Sequence, residues 1–312
     1  MAVSGSFQSH SNAPVGHGLG MLSIFIFAAG FPAAGYLLQF WDPTYLITIR
    51  ICVVVVVAVL AWRFLEGWQV VRRANWLAGL RIGFLGFGAS TYLLLVGQHL
   101  ADPVTAALIT TTLPVMGVLI EVILDGRRLT RRFIFAVTLV LMGGLVAIGD
   151  DVGSASFGMG AVAVLVANVL FTIASRQSVK TLCDHSTLGQ TTVTFAGGMA
   201  FCIVAYTVAR TFFGLDTPIW HFDSTVLSAF LLYSLGAMGL SQFLWLASVK
   251  RLGIGMAAFH VNGTPFYVML ILVAMGGSWD PSQILGAAIL FVGVIIAQLD
   301  DRRTAREYRA RV

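Results

Sequence analysis

Charged side chains are scarce in this sequence of 312 residues, because Asp, Glu, Lys and Arg together make up only 11% of it. A soluble globular domain usually carries about a quarter. Hydrophobic residues make up 58% and form long runs separated by short polar breaks. Since a bilayer core needs roughly 20 apolar residues per helix, these runs predict an all-α integral membrane protein. Helices are favoured over barrel strands because the runs are uniformly apolar and do not alternate.

Motifs for catalysis, cofactor binding and metal binding are also lacking. The three cysteines are scattered and show no metal-ligand spacing: Cys52, Cys183 and Cys202. No G-x-x-x-x-G-K-[ST] loop is present for nucleotide-driven pumping, and no Ser, His and Asp set lies at one membrane depth. We therefore expect no catalytic residue, no metal and no cofactor. The first 17 residues contain no Lys or Arg, so a cleaved signal peptide is not expected.

Ten apolar segments are long enough to be predicted as membrane spans, with ends uncertain by several residues. In order they are 18–38, 44–62, 76–98, 102–124, 132–149, 157–176, 190–213, 225–249, 252–275 and 282–299.

Basic residues alternate between the loops. Sixteen of the nineteen Lys and Arg residues lie after spans two, four, six, eight and ten. By the positive-inside rule, this distribution predicts that both termini are cytoplasmic. The net charge of +5 then reflects topology, with the lipid bilayer as partner. Neither nucleic-acid binding nor an obligatory protein partner is expected.

The two halves of the chain repeat each other. Ala106-Ala107 and Pro114 in span four recur in span nine as Ala257-Ala258 and Pro265, each 151 residues later, and Asp150-Asp151 recurs as Asp300-Asp301. Five spans per half is an odd number, so the second copy would enter the membrane from the opposite side. We therefore predict inverted repeats at 18–150 and 151–300, with tails at 1–17 and 301–312. Inverted repeats are typical of secondary transporters.

Polar and aromatic side chains near the middle of the spans are the candidates for contact with a solute, because polar groups at membrane depth usually face the bundle interior. The predicted substrate-binding residues are Tyr92, Thr111, Asn168, Thr172, Gln242, Trp245, His260, Asn262 and Tyr267. Two interpretations remain open for the amides and His260: lining a cavity, or bonding between helices.

Two other groups of residues complete the candidate site. The three prolines predicted to kink their helices are Pro32, Pro114 and Pro265. Arg50 lies toward the outer side of span two and either pairs with Asp42 or receives the carboxylate of a solute.

The sequence resembles the drug/metabolite transporter superfamily, in its ten-helix form with two EamA-like halves. The resemblance rests on Leu85-Gly86, Ala106-Ala107, Pro114 and Gly143, which recur as Leu235-Gly236, Ala257-Ala258, Pro265 and Gly293. Within the superfamily the chain is most similar to YddG-type bacterial exporters. It departs from many EamA halves because Gly126 and Gly277 are followed by Arg127 and Ser278, where those halves have Glu.

The resemblance implies a secondary transporter in the bacterial inner membrane that exports aromatic and other neutral amino acids by alternating access around a central cavity. Two alternatives remain: efflux of drugs or another metabolite, and a membrane-embedded enzyme that modifies lipids. Span one lacks the carboxylate with which small multidrug antiporters bind cations and protons, and this disfavours drug efflux by that mechanism.

Overall fold

A computed structural model describes residues 13–125, 130–148, 155–215, 223–252 and 260–311. Within these ranges every element is helical and no strand occurs, which confirms the all-α prediction. The helices of the first half are α1 (Ala13–Leu37), α2 (Pro43–Glu66), α3 (Trp68–Arg73), α4 (Trp76–Ile82), α5 (Ala89–Leu100), α6 (Pro103–Thr110), α7 (Leu113–Asp125) and α8 (Arg131–Ile148). Those of the second half are α9 (Ala155–Thr181), α10 (Thr187–Phe212), α11 (Ser224–Leu231), α12 (Ser241–Leu252), α13 (Thr264–Ala274) and α14 (Pro281–Arg311).

Six helices in the described part of the chain are long and apolar enough to cross a membrane: Pro14–Leu37, Pro43–Glu66, Trp76–Leu100, Gly158–Ser178, Thr187–Phe212 and Ser224–Trp245. Two shorter apolar helices are Thr264–Ala274 and Pro281–Ile296. These helices fit a multi-pass membrane protein. The count of ten spans and the cytoplasmic termini stay predictions. Three features of the predicted repeat lie outside the described residues: Asp150-Asp151, the boundary between the two repeats at 150/151, and Ala257-Ala258.

Asp-Pro pairs begin three of the helices. The Asp42 carboxylate accepts a hydrogen bond from the Thr44 amide at 2.7 Å, and Asp102 caps α6 in the same way. At α14 the Asp280 carboxylate accepts from the Ser282 amide at 2.8 Å. Each Asp satisfies a helix N–H that has no partner within the helix, and the proline that follows has no N–H to satisfy.

Two long helices contain a π-helical segment, in which the helix is wider than an α-helix. Gly83–Gly88 joins α4 to α5, and Leu232–Leu240 joins α11 to α12. The segments include Leu85-Gly86 and Leu235-Gly236, which lie 150 residues apart. Because π-helical turns are rare and often mark functional sites, their paired placement draws attention to these helices.

Two further helices are interrupted at positions related by the repeat. Thr111 and Thr112 form a turn between α6 and α7, and Asn262 and Gly263 form a turn directly before α13. The offset between the two turns is again 151 residues. Each turn is followed by one of the prolines predicted to kink a helix, Pro114 or Pro265, whereas Pro32 lies inside α1.

The paired glycines Gly143 and Gly293 lie at one helix interface. A Cβ on Gly143 would be 2.7 Å from the Gly286 carbonyl oxygen on α14, and a Cβ on Gly293 would be 2.8 Å from the Ala136 carbonyl oxygen on α8. Small residues let α8 and α14 approach until backbone touches backbone, which is how helices gain dispersion contacts in lipid.

Candidate functional site

A small cavity lies between four helical elements: α1, α2, α5 and the second π-helical segment. It is lined by Phe27, Gly30, Phe31, Arg50, Thr91, Leu94, Leu95, Gln98, Tyr233 and Ala237. Its volume is about 20 Å³, which is room for about one water molecule. Apolar and aromatic walls with a few polar groups are typical of sites for small organic molecules. A ligand larger than a water molecule therefore needs these helices to separate.

Arg50 is the cation of this cavity, and it is 7% exposed. Its Nε donates to the Tyr233 carbonyl at 3.1 Å, and its guanidinium lies over the Tyr233 ring, 3.7 Å from the centroid. Asp42, the partner suggested by the sequence, caps α2 instead. Arg50 therefore has no carboxylate partner among the described residues. Apart from Tyr233, the guanidinium has no hydrogen-bond partner in the described part of the chain. A buried cation at membrane depth with unused donors marks a functional site, because its burial is costly.

Gln98 and Tyr233 complete the polar part of the cavity. The Gln98 amide donates to the Phe31 carbonyl at 2.7 Å and so ties α5 to α1. Sequence reasoning missed both residues, because Gln98 is close to the end of its span and Tyr233 lies in an apolar run. Arg50 is the cavity residue that the sequence could indicate, because it is a cation within an apolar run that contains no Asp or Glu.

Four of the nine predicted residues make contacts between or within helices: Tyr92, Thr111, Asn168 and Thr172. The Asn168 amide donates to the Ile109 carbonyl at 2.8 Å and to the Thr112 hydroxyl at 3.0 Å. Thr111 and Thr172 donate to carbonyls of their own helices, both at 2.7 Å. The Tyr92 hydroxyl lies 3.1 Å from the Thr44 hydroxyl. The Asn168 amide therefore satisfies hydrogen-bonding groups at the helix break formed by Thr111 and Thr112.

The other five predicted residues lie on α12, at the helix break before α13 or on α13. His260 and Asn262 lie at the break itself, and the Asn262 side chain is 1% exposed. The Tyr267 ring packs edge-on against Phe25 of α1, 5.6 Å between centroids. Gln242 and Trp245 are half-buried on α12.

None of the nine predicted residues lines the cavity around Arg50. The structure instead places four of them at the two helix breaks: Thr111 and Asn168 at the first, His260 and Asn262 at the second. Their roles in binding a solute stay predictions.

Replacing Asn168 by Leu tests whether this residue is structural. The change removes the donor to Ile109 and Thr112 while roughly keeping the side-chain volume, so we expect a loss of about 1–3 kcal/mol of stability. Thermal unfolding of the purified protein in detergent measures it. Thr172→Val is the control, because it removes a hydroxyl bonded only within its own helix. An unchanged Tm with a raised KM for solute exchange would instead place Asn168 in contact with the solute.

Three comparisons with known proteins bear on the site. Residues 14–149 match the EamA-like transporter family. The chain is 23% identical over 278 residues to the uncharacterized transporter YyaM of Bacillus subtilis (strain 168), which covers 86% of this chain and 88% of that protein. A solved crystal structure, described only as that of a protein, superposes with a TM-score of 0.64 at 20% identity. It covers 93% of this chain and 99% of the other, and this likeness concerns the fold alone.

The family match includes α1, α2 and α5, which supply Arg50, Gln98 and most of the other cavity-lining residues. Residues 14–149 thus match the EamA-like transporter family, and together with the transporter homologue this match supports the resemblance to the drug/metabolite transporter superfamily and a transporter role for this multi-pass membrane protein.

Proposed function

We propose that this protein is a secondary transporter that exports small amphipathic solutes, with aromatic and other neutral amino acids as its substrates. The observation that carries the proposal is the cavity around Arg50. Its guanidinium has donors that no described residue occupies and that suit a carboxylate, and Phe27, Phe31 and Tyr233 offer aromatic surface to an apolar side chain. An amino acid presents both features in one small molecule.

Alternating access around this cavity is the proposed mechanism, with ten spans arranged as two inverted five-helix repeats. The paired π-helical segments, the paired helix breaks and the facing glycines Gly143 and Gly293 all support the repeat. In inverted-repeat transporters one bundle rocks against the other around a fixed site. Because the cavity has room for about one water molecule, the helices around Arg50 must separate for a solute to enter. The proposed location is the bacterial inner membrane, with both termini in the cytoplasm.

Counterflow in liposomes tests the proposal directly. Proteoliposomes are preloaded with phenylalanine, threonine or methionine, and uptake of the labelled amino acid is followed against protein-free liposomes. We expect saturable, transient accumulation in exchange for the preloaded amino acid, because exchange needs only a site that reaches both sides. Uptake equal to that of protein-free liposomes for all three amino acids would overturn the substrate assignment.

Tetraphenylphosphonium serves as the second solute in the same liposomes. A buried guanidinium repels cations, so we expect no exchange of this lipophilic cation. Exchange of the cation without exchange of amino acids would favour the drug-efflux alternative. Recovery of a chemically altered product would favour an enzyme.

A further inference from the structure

Two histidines contact each other at the end of α1 farthest from the cavity. The His17 Nδ1 lies 3.2 Å from the His260 Nε2, with the ring centroids 5.3 Å apart and the rings nearly perpendicular. His17 belongs to the first turns of α1, and His260 precedes the helix break before α13. Counting along α1, His17 lies about 15 Å from Phe27, the nearest cavity residue of that helix. The histidine pair and the cavity are therefore separate sites joined by one helix.

Close packing surrounds the pair. A Cβ on Gly20 would lie 2.5 Å from the His260 ring and 2.8 Å from the Ser248 hydroxyl. The Ser248 hydroxyl donates to the Gly16 carbonyl at 2.9 Å. We call this contact of Gly16, His17 and Gly20 with Ser248 and His260 the N-terminal seam. It closes this end of α1 against α12 and the segment before α13.

The repeat relates this contact to a second contact of a different chemical kind. Asn168 and His17 are 151 residues apart, as are His260 and Ile109, so the His17–His260 contact matches the Asn168–Ile109 contact under the repeat. An amide donating to a carbonyl keeps its bond at every physiological pH. Two imidazoles do not, because their unperturbed titration falls between pH 5 and 8.

The geometry limits how many protons the pair can hold while it is closed. The contact needs one nitrogen that donates and one that is bare. A neutral or singly charged pair meets this condition. When both rings carry both protons, two N–H groups face each other and two positive charges meet, so the contact is lost.

Asn262 supplies a second observation two residues beyond His260. Its amide nitrogen and its oxygen are both buried, and neither has a hydrogen-bond partner among the described residues. A buried amide without partners is costly, and a water molecule can both donate to it and accept from it. The helix break beside His260 therefore also contains a buried amide whose hydrogen bonds are not satisfied by described residues. At the other break, by contrast, Asn168 donates to the Thr112 hydroxyl.

We propose that His17 and His260 form a proton-binding site, and that uptake of a proton by the closed pair opens the N-terminal seam. This inference rests on the proposed transport function. The closed pair that responds to one proton is the singly charged pair: the entering proton completes the double protonation of both rings, the N–H···N bond breaks, and α1 separates from α12. A neutral pair takes up two protons before it opens. Closing the seam requires that proton to leave. Since α1 also lines the cavity, protons on this side control access of the solute.

Few other charged groups lie on the elements packed against the pair. α1, α12, α13 and residues 253–263 contain no Asp or Glu. Lys250 and Arg251 end α12, and the exposed Arg251 donates to the Ala247 carbonyl of its own helix. Tyr267 of α13 stacks on Phe25. Within the described residues, His17 is the titratable group in contact with His260.

The transport test uses the full chain in liposomes, with its orientation determined by protease cleavage of an N-terminal tag. Phenylalanine exchange is measured while the pH on the tagged side is lowered from about 8 to about 5. We expect exchange to rise about threefold or more in the parent and to become nearly independent of this pH in His17→Gln. His99→Gln is the matched control, because His99 is exposed near the far end of α5. It should respond to pH as the parent does.

A spectroscopic test needs neither a solute nor a variant that transports. With ring-¹⁵N-labelled histidine, two of the six histidines should titrate in mutual dependence in the parent. His17→Gln should change the titration of one remaining histidine, and His99→Gln should change none. Independent titration of all six, or an equal pH response of exchange in His17→Gln and the parent, would overturn the proton site. Absence of exchange at any pH would overturn the transport proposal and leave the ¹⁵N result to decide the site.

Discussion

Replacing Arg50 by Gln is expected to weaken solute binding by about 10- to 150-fold. Hydrogen bonds to a charged group contribute about 1.5–3 kcal/mol, and a buried carboxylate left without its cation costs a similar amount. The glutamine would keep a polar side chain of moderate length at this position but lose both the charge and the fork of donors that match a carboxylate. The measurement is the dependence of phenylalanine counterflow on concentration, with KM and maximal rate determined separately. A raised KM is the expected change.

Two further variants separate binding from folding. Arg50→Lys keeps the charge but loses the planar stacking on Tyr233, so we expect activity between that of the parent and that of Arg50→Gln. Arg72→Gln is the control for removal of a positive charge, because Arg72 is exposed on α3. It should exchange solute as the parent does. An unchanged KM in Arg50→Gln would place the solute elsewhere and exclude Arg50 as its carboxylate partner.

Replacing Gly83 by Ala is expected to lower the Tm by several degrees. A Cβ at this position would collide with the Thr194 carbonyl oxygen of α10, and the Gly197 Cα is only 3.0 Å away. Both neighbours are backbone atoms, so the strain cannot be relieved by turning a side chain. Overpacking of this kind costs about 1–3 kcal/mol. Thermal unfolding in detergent, followed by loss of the monodisperse peak, measures the change.

Gly158→Ala is the matched control for that variant. It makes the same substitution within a helix, but no atom lies within 4 Å of the added Cβ. Because alanine favours helix by about 1 kcal/mol over glycine, this variant should keep or slightly raise the Tm. If both variants behaved alike, the close crossing of α4 and α10 at Gly83 would be wrong. Since Gly83 begins the first π-helical segment, Gly83→Ala also tests whether that crossing is needed for transport.

Membrane insertion and helical structure were predictable from the sequence, because both follow from one-dimensional properties. Runs such as 44–62 can satisfy their backbone groups in lipid only as helices, and Asp42-Pro43 marks where α2 begins. The repeat offset of 151 residues also needed no structure. The offset indicated that a feature of span four would recur in span nine. Both helix breaks lie in these two spans, shortly before Pro114 and Pro265.

Which polar side chains meet was decided by the tertiary structure alone. Burial depth predicted that Asn168 faces the interior, but only packing decides that its amide meets the Ile109 carbonyl and lies away from the cavity. Arg50 and Tyr233 are 183 residues apart, and His17 and His260 are 243 apart. Local sequence carries no record of such contacts, because they depend on how helices rotate and cross. The sequence alone thus determined that this chain is a helical membrane protein and predicted its repeat. The packing of the helices decided which side chains meet, and the proposed solute and proton sites rest on those contacts.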